Sequence, residues 1–199
     1  IPNKSFILTN GDKVDILSTI NSVYGYLSIA GGFKLKEIKG SVSTLVRAKI
    51  GPNNGDKLKP DDKIFCNDPL SKNKIKKFKF DLDQDNSIRV MKGLQVDYFS
   101  KKSQEDFFSK EYKVTRLTDR MGMRLEGEKI ENIVNKNIKS EGITKGSIQI
   151  PGDGQPIVLL SDHPTIGGYP KIANVISADY DKLVQKTPGT KIKFKLVDL

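Results

Sequence analysis

The stretch GQPIVLLSDHPTIGGYPK, residues 154–171, joins a short apolar run to a diglycine turn. Apolar runs of this length, bounded by glycine and proline, are typical of buried strands. Diglycine accepts a positive φ, so Gly167-Gly168 predicts a sharp exit from that strand. The stretch therefore predicts a β protein. It also carries the single histidine of the chain, directly after a serine and an aspartate.

Ser161, Asp162 and His163 are the three residue types of a hydrolase triad. In a strand, Asp162 points away from the other two, and Ser161 and His163 stand about 6.5–7 Å apart. A nucleophile and its base need to approach to about 2.6–3.2 Å. No G-x-S-x-G elbow surrounds Ser161. A catalytic triad of these three neighbours is therefore excluded.

Similar β-like runs recur outward from this stretch, between turns rich in Gly, Pro, Asn and Asp. They are Ser5–Leu8, Val14–Leu17, Tyr24–Ile29, Lys63–Cys66, Ile88–Val90, Ser147–Ile150, Ile157–Leu160, Ile172–Ile176 and Lys191–Val197. Two short helices are also predicted. One covers Ser103–Ser109 with Ser103 as its N-cap, and the other follows Ser177-Ala-Asp179 and ends before Pro188.

Two halves of the chain share a weak pattern. GYLSIAGGF (25–33) and PDDKIF (60–65) correspond to PIVLLSDHPTIGGY (156–169) and PGTKIKF (188–194). Between them, Asn67–Ser87 is rich in lysine, asparagine and aspartate, with one edge strand predicted at Lys74–Phe80. We therefore expect a first β unit at 1–66 that lacks its N-terminal part, a basic linker or excursion at 67–87, and a second β unit at 88–199.

The composition narrows the classes of partner. The formal charge is +10, yet only five of the 34 basic residues are arginine, and the lysines are spread along the chain. This pattern indicates a solvated surface, and no nucleic-acid partner is expected. No apolar run approaches the roughly 18–20 residues of a membrane span, so no membrane partner is expected either. A single cysteine favours a cytoplasmic location. Because the chain begins at Ile1 with no signal peptide, we expect an upstream part to be removed or carried elsewhere.

Metal and nucleotide sites have no sequence support. One histidine and one cysteine, far apart in the chain, give no ligand spacing for zinc or iron. Neither a Walker loop nor a G-x-G-x-x-G turn is present. We therefore expect no metal and no cofactor bound by this chain.

Several longer segments resemble the biotin-dependent carboxyltransferase family. They are YLSIAGGFKLKEIKGSVSTLVRAKIG, KGLQVDYF, TDRMGMRLEG, IKSEGITKGSIQIPGDGQPIVLLSDHPTIGGYPKIANVISAD and TPGTKIKF. The family includes the C subunit of 5-oxoprolinase, also named allophanate hydrolase subunit 2-like, and the carboxyltransferase region of urea amidolyase. The resemblance covers nearly the whole chain, although the Gly-Arg-Pro-Gly and Ser-Gly-Ala-Met-Asp stretches that usually precede these segments are not in this sequence.

The resemblance implies a mainly β fold of two packed, barrel-like units, cyclophilin-like, with a few short helices. It implies a subunit of an ATP-dependent 5-oxoprolinase, which works with A-like and B-like partner subunits on a small amide or lactam. ATP would be used through a partner subunit, and biotin would arrive on another domain. Two alternatives stay open. One is a carboxyltransferase that acts on urea or a related amide, and the other is a non-catalytic binding or regulatory module, or a truncated remnant.

The substrates implied by the resemblance present a carbonyl beside N–H groups. The amide of Gln155 offers both a donor and an acceptor for such a ligand, although the residue could equally belong to a β-turn. Backbone N–H groups of Gly167 and Gly168 can approach a ligand closely and stabilise charge on its carbonyl oxygen. These three residues are therefore expected to bind substrate.

Five further residues complete the predicted site. Asp162, Tyr169 and Lys171 are the catalytic candidates, and Arg120 and Glu141 are expected to bind substrate. Lys171 and Arg120 would hold a carboxylate, Tyr169 would donate a proton or stack, and Asp162 or Glu141 would act as a general base. The alternatives are structural: an ion pair for Arg120 and a turn cap for Glu141. His163 is not expected to belong to the site.

Overall fold

The computed structural model describes residues 3–69, 75–78, 85–134 and 137–197. The chain divides into two compact units. One comprises Ile1–Leu17 and Gly25–Asp81, and the other comprises Ser18–Tyr24 and Leu82–Leu199. The predicted mainly β class is confirmed, because the second unit is built on a closed β-barrel. The unit boundaries at residues 66 and 88 stay a prediction.

Seven strands form the barrel in the order β1-β8-β5-β6-β3-β2-β9. A separate ribbon pairs β4 with β7. The strands are β1 (Ser87–Lys92), β2 (Glu111–Val114), β3 (Gly122–Glu126), β4 (Glu141–Gly142), β5 (Ser147–Gln149), β6 (Ile157–Leu159), β7 (Ile166–Gly167), β8 (Lys171–Val175) and β9 (Lys191–Leu196). The pairing of β1 with β9 is parallel and closes the barrel, whereas the other barrel pairs are antiparallel.

The core is built from every second residue of the barrel strands. In β9, Ile192 and Phe194 are fully buried while the intervening lysines face solvent. β1, β2 and β3 alternate in the same way. Successive strand side chains point to opposite faces, so this alternation fills the barrel interior with apolar groups. The ring of Phe107 stacks on that of Phe194, with centroids 4.9 Å apart.

Two α-helices accompany the barrel, as the sequence predicts. The first, α1, spans Lys101–Ser109, and its N-cap is Ser100, whose side chain accepts a hydrogen bond from the Ser103 N–H. The predicted N-cap at Ser103 is wrong because Ser100 already has extended backbone and an oxygen in reach. The second, α2, spans Ser177–Val184. None of the helices in the described part of the chain is long and apolar enough to cross a membrane.

The first unit differs from the strand predictions. Its described residues form isolated bridges, such as Phe33 with Cys66, and two short 3-10 helices at Val46–Ala48 and Asn53–Gly55. The runs predicted as strands between residues 5 and 66 are therefore not strands there. Only Gly55 is buried among these described residues, so alternating side chains have no core to cover. The edge strand predicted at 74–80 lies partly outside the described residues.

An ion pair between the buried Asp179 and the half-exposed Arg89 connects α2 to β1. Asp179 accepts hydrogen bonds from the Arg89 backbone N–H at 2.8 Å and from its guanidinium at 2.6 Å. The guanidinium bond is the main reason that the pKa of Asp179 lies below its usual value, although burial opposes the shift. The ionised carboxylate therefore stabilises the fold above about pH 4, and this contribution is lost as the pH falls through the lower folded pKa.

We predict that Asp179→Asn destabilises the protein by roughly 2 kcal/mol at pH 7, because it removes the charge that Arg89 neutralises. The free energies of unfolding of the two proteins, measured by denaturant titration, should converge as the pH falls through the lowered folded pKa of Asp179. Glu111→Gln is the matched control, since its partner Lys191 lies 3.6 Å away on an exposed surface. A constant difference between Asp179→Asn and the wild type at all pH values would contradict the prediction.

Candidate functional site

A bulge between β5 and β8 sets the orientation of two polar side chains. Ile148 pairs with Ala173, but the next residue, Gln149, pairs with Lys171, so Ile172 is the extra residue. A bulge of this kind points Ile172 and Ala173 to the same side, and both belong to the apolar core. Gln149 and Lys171 consequently lie next to each other on the outer face of the barrel.

This outer face is covered rather than solvated. Gln149 is 5% exposed and Lys171 is 3% exposed. The β4–β7 ribbon lies over them, with Glu141 in register with Gly167. The Lys171 ammonium donates a hydrogen bond to a carboxylate oxygen of Glu141, which joins the ribbon to β8. The ribbon therefore forms a polar layer outside the barrel.

Gln95 completes this layer from the loop after β1. Its side-chain amide donates to the same Glu141 oxygen at 2.8 Å, and its amide oxygen accepts from the Lys171 backbone N–H at 3.2 Å. The hydrogen bond from Lys171 is the main cause that holds the pKa of Glu141 below its usual value, and the Gln95 bond adds to it against the effect of burial. Glu141 is therefore an ionised carboxylate at neutral pH and a weak base.

An open cavity of about 470 Å³ lies beside this layer. Its volume falls in the range of small-molecule sites. The lining residues are Asn137, Ile138, Ser140, Ile143, Gln149, Pro164, Ile166, Gly167, Gly168 and Tyr169. Three predicted site residues therefore meet at one cavity: Gly167, Gly168 and Tyr169. Lys171 and Glu141 lie in the adjoining polar layer.

The diglycine of this cavity differs from the sequence expectation. Gly31 and Gly32 have positive φ, but Gly167 and Gly168 do not. Glycine at 167 instead allows a close approach to two neighbouring side chains. A Cβ there would lie 2.8 Å from Gln149 Nε2 and 3.0 Å from Ile143 Cδ1. The expected positive-φ turn at 167–168 is therefore wrong, and the reason for glycine is space.

Gln155 is fully engaged by the backbone of Gly127. Its amide oxygen accepts from the Gly127 N–H at 2.9 Å, and its amide nitrogen donates to the Gly127 carbonyl at 3.2 Å. Both functions of the amide are therefore occupied within the fold. Gln155 is not among the residues that line the cavity. Its role in substrate binding stays a prediction.

Arg120 and Asp162 form a bidentate ion pair. The guanidinium donates to both carboxylate oxygens, at 2.6 and 2.8 Å, and the Asp162 N–H donates to the Arg120 carbonyl. These bonds clamp the turn before β3 to the turn after β6. Neither residue lines the cavity. Their contacts with substrate stay a prediction. In this structure, their ion pair connects two turns of the barrel.

The three neighbouring residue types of a triad have separate partners. The Ser161 hydroxyl lies 3.3 Å from the Tyr180 hydroxyl, and His163 Nδ1 lies 2.6 Å from the Pro164 carbonyl oxygen. Asp162 binds Arg120. Ser161 and Asp162 lie in a turn rather than in β6. The exclusion of a contiguous triad agrees with this geometry.

Sequence reasoning missed two residues of the polar layer, Gln149 and Gln95. A polar residue next to Ile148 in a strand looks solvent-facing, so the sequence does not signal that Gln149 is covered. Its Nε2 is buried with no hydrogen-bond partner among the described residues. An unpaired buried donor costs about 1–3 kcal/mol, which makes this amide the least satisfied group of the layer.

Comparison with known proteins yields one family and several relatives. The carboxyltransferase domain, subdomain A and B, matches residues 1–196. The chain is 39% identical to the 5-oxoprolinase C subunit of Haemophilus influenzae, over 89% of this chain and 57% of that protein. It is 32% identical to the 5-oxoprolinase C subunit of Escherichia coli, over 92% of this chain and 59% of that protein. The chain thus spans somewhat more than half the length of these relatives.

A solved structure has the same fold. The urea amidolyase of K. lactis superposes with a TM-score of 0.75 and 29% identity, over 86% of this chain and 12% of that chain. The cavity and the polar layer lie within the part of the chain that the family match covers.

We predict that Gly167→Ala destabilises the protein by about 1–3 kcal/mol, because its Cβ would press on the Gln149 amide and Ile143. Gly142→Ala is the matched control on the paired strand, since a Cβ at that position meets nothing within 4 Å. Thermal and denaturant unfolding of both variants check the prediction. Equal stability of the two variants would contradict the close approach at Gly167.

Proposed function

The chain belongs to the family of the carboxyltransferase domain, subdomain A and B. On this premise, we propose that it acts as one subunit of an ATP-dependent 5-oxoprolinase. The reaction opens 5-oxo-L-proline to L-glutamate. The observation that carries the proposal is the 39% identity to a 5-oxoprolinase C subunit over 89% of this chain. The cavity lined by Gly167, Gly168 and Tyr169 supplies a place for a small lactam.

The cavity residues suit the chemistry of lactam opening. Attack on the lactam carbonyl places negative charge on its oxygen, and backbone N–H groups at Gly167 and Gly168 are candidates to stabilise that charge. Tyr169 lines the cavity and is 40% exposed, so its hydroxyl can reach a ligand as a proton donor or its ring can stack. We assign these three residues to direct contact with the substrate.

Lys171 and Glu141 act as positioning residues in this proposal. Both are held by each other and by Gln95, and neither lines the cavity. Their ion pair fixes the β4–β7 ribbon, which carries Gly167. Because a paired carboxylate of lowered pKa is a poor base, Glu141 is assigned to holding the ribbon rather than to proton abstraction.

The proposal includes partners. A-like and B-like subunits would complete the enzyme and would bind ATP, since the sequence of this chain has no Walker loop. Biotin, where a relative uses it, would arrive on another domain. The reaction would take place in the cytoplasm, where 5-oxoproline and ATP are both available.

A second candidate is favoured by the structural similarity to urea amidolyase. In this alternative, the same cavity would accept urea or a related amide, and the reaction would be carboxyl transfer from carboxybiotin. Urea presents a carbonyl between two amino groups, so the same donors and acceptors could bind it. The two candidates differ in whether activity requires a biotinylated partner.

Reconstitution separates these candidates. We expect the complete protein encoded by this reading frame, co-expressed with its A-like and B-like partners, to release glutamate from 5-oxoproline only when ATP is present. Urea-dependent ATP hydrolysis with a biotinylated partner, and no glutamate release, would instead support the urea reaction. Absence of both activities would contradict both candidates and favour a non-catalytic binding module.

We predict that Lys171→Met lowers the activity of the reconstituted enzyme by at least about tenfold without lowering its melting temperature. Methionine fills a similar buried volume, and the Glu141 carboxylate that loses its partner is 39% exposed, so water can solvate its charge. Lys191→Met is the control, because this ammonium also faces a carboxylate but is exposed. Full activity of Lys171→Met would show that the ion pair between Lys171 and Glu141 is not needed for the proposed activity.

A further inference from the structure

Gln149 carries a buried side-chain amide whose nitrogen has no hydrogen-bond partner in the part of the chain that the structure describes. The residue is 5% exposed and lines the cavity, and its Nε2 has no hydrogen-bond partner among the described residues. Buried amides in folded proteins are otherwise bonded to protein or water. An unpaired donor at a cavity wall is available to a ligand that presents an acceptor.

The neighbouring Gln155 shows what a satisfied amide looks like in the same segment. It pairs with an N–H and a carbonyl of one residue, Gly127, through two hydrogen bonds. A primary amide can make this two-point contact with any edge that presents a carbonyl and an N–H side by side. Gln149 has the same chemical group, but its nitrogen has no acceptor among the described residues.

We propose that Gln149 binds the amide edge of the ligand in this cavity, and that it selects a cis amide. A lactam or a cyclic urea holds its carbonyl and its N–H on one side of the C–N bond, so both can pair with the Gln149 amide. A linear secondary amide is trans and presents them on opposite sides. Gln149 is thereby the residue that distinguishes ring amides from open secondary amides. This inference rests on the proposed function of the cavity.

The β4–β7 ribbon controls access to this amide. The backbone of Gly167 lies against Nε2, so close that a Cβ would be 2.8 Å from it. Each strand of the ribbon has two residues, and the ribbon forms a sheet separate from the barrel. A displacement of the ribbon by the entering ring leaves the barrel ladder intact and opens the amide edge. Lys171, bonded to Glu141, keeps the ribbon attached beside the ligand.

Paired substitutions test this role. In the complete protein with its partners and without ATP, Gln149→Met should weaken binding of 5-oxo-L-proline by about tenfold or more in calorimetric titration. The same variant should keep or raise the melting temperature, because it removes an unsatisfied buried group. Gln104→Met is the matched control, because the Gln104 amide donates to the Val96 and Phe99 carbonyls and does not line the cavity. It should lower the melting temperature, since it frees these two carbonyls, and leave the affinity unchanged.

Comparison of ring and open amides as ligands tests whether Gln149 selects a cis amide. N-acetyl-L-alanine has the carboxylate, carbonyl and N–H of 5-oxo-L-proline on an open, trans amide, and it should bind at least about tenfold more weakly to the wild type. That difference should disappear in Gln149→Met. The cyclic urea 2-imidazolidinone tests whether the site prefers a lactam ring or a ureido ring. If it binds more tightly than 5-oxo-L-proline and this binding is lost in Gln149→Met, the role of Gln149 is supported and the preferred ligand is a ureido ring.

The remaining outcomes also decide the question. Unchanged affinity of Gln149→Met for 5-oxo-L-proline, or equal binding of the ring and open amides by the wild type, would overturn the role of Gln149. Absence of binding of every ring amide would overturn it as well. Ring binding that depends on Gln149, in a complex that releases no glutamate with ATP, supports this inference and contradicts the 5-oxoprolinase function.

Discussion

The parallel pairing of β1 with β9 is the constraint on which the second unit depends. It places Ile88 beside Phe194 and converts a row of antiparallel strands into a closed barrel without an exposed edge. Because apolar side chains fill the interior, the polar side chains of the strands lie on the outer face. The proposed site accordingly lies outside the barrel, where a bulge turns Gln149 and Lys171 outward and a two-stranded ribbon covers them. Core and site are therefore built on opposite faces of the same strands.

The sequence predicts those barrel strands whose apolar content is high. β1, β5, β6, β8 and β9 appear within a residue or two of the predicted runs. β3 lies instead in a polar, glycine-rich segment with no strand signal, because Arg124 and Glu126 face outward and glycine begins the strand. In the first unit the same kind of apolar run is not a strand among the described residues. A run can only become a strand where a neighbouring strand and a core are available, and this information is not local.

The site is predictable as a region and not as a set of contacts. The segment from Glu141 to Lys171 holds most of the predicted site residues, and three of these line the cavity. The choice between two glutamines cannot be made from sequence, since Gln155 and Gln149 are equivalent as chemical groups. Their difference lies in the Gly127 backbone, which reaches Gln155 from the end of β3 and does not reach Gln149. Only the fold reveals which amide is already paired.

Barrel closure also has a kinetic consequence. The strands that close it come from opposite ends of the second unit, so this contact has a high sequence separation and a large entropic cost before it forms. Until β9 has left the ribosome, β1 and β2 each lack a neighbour, and the ring of Phe107 lacks its stacking partner Phe194. The nascent chain would therefore expose two unpaired strand edges for most of the synthesis of this unit. Folding of the barrel is in that sense a late event, completed by the last of its strands to be translated.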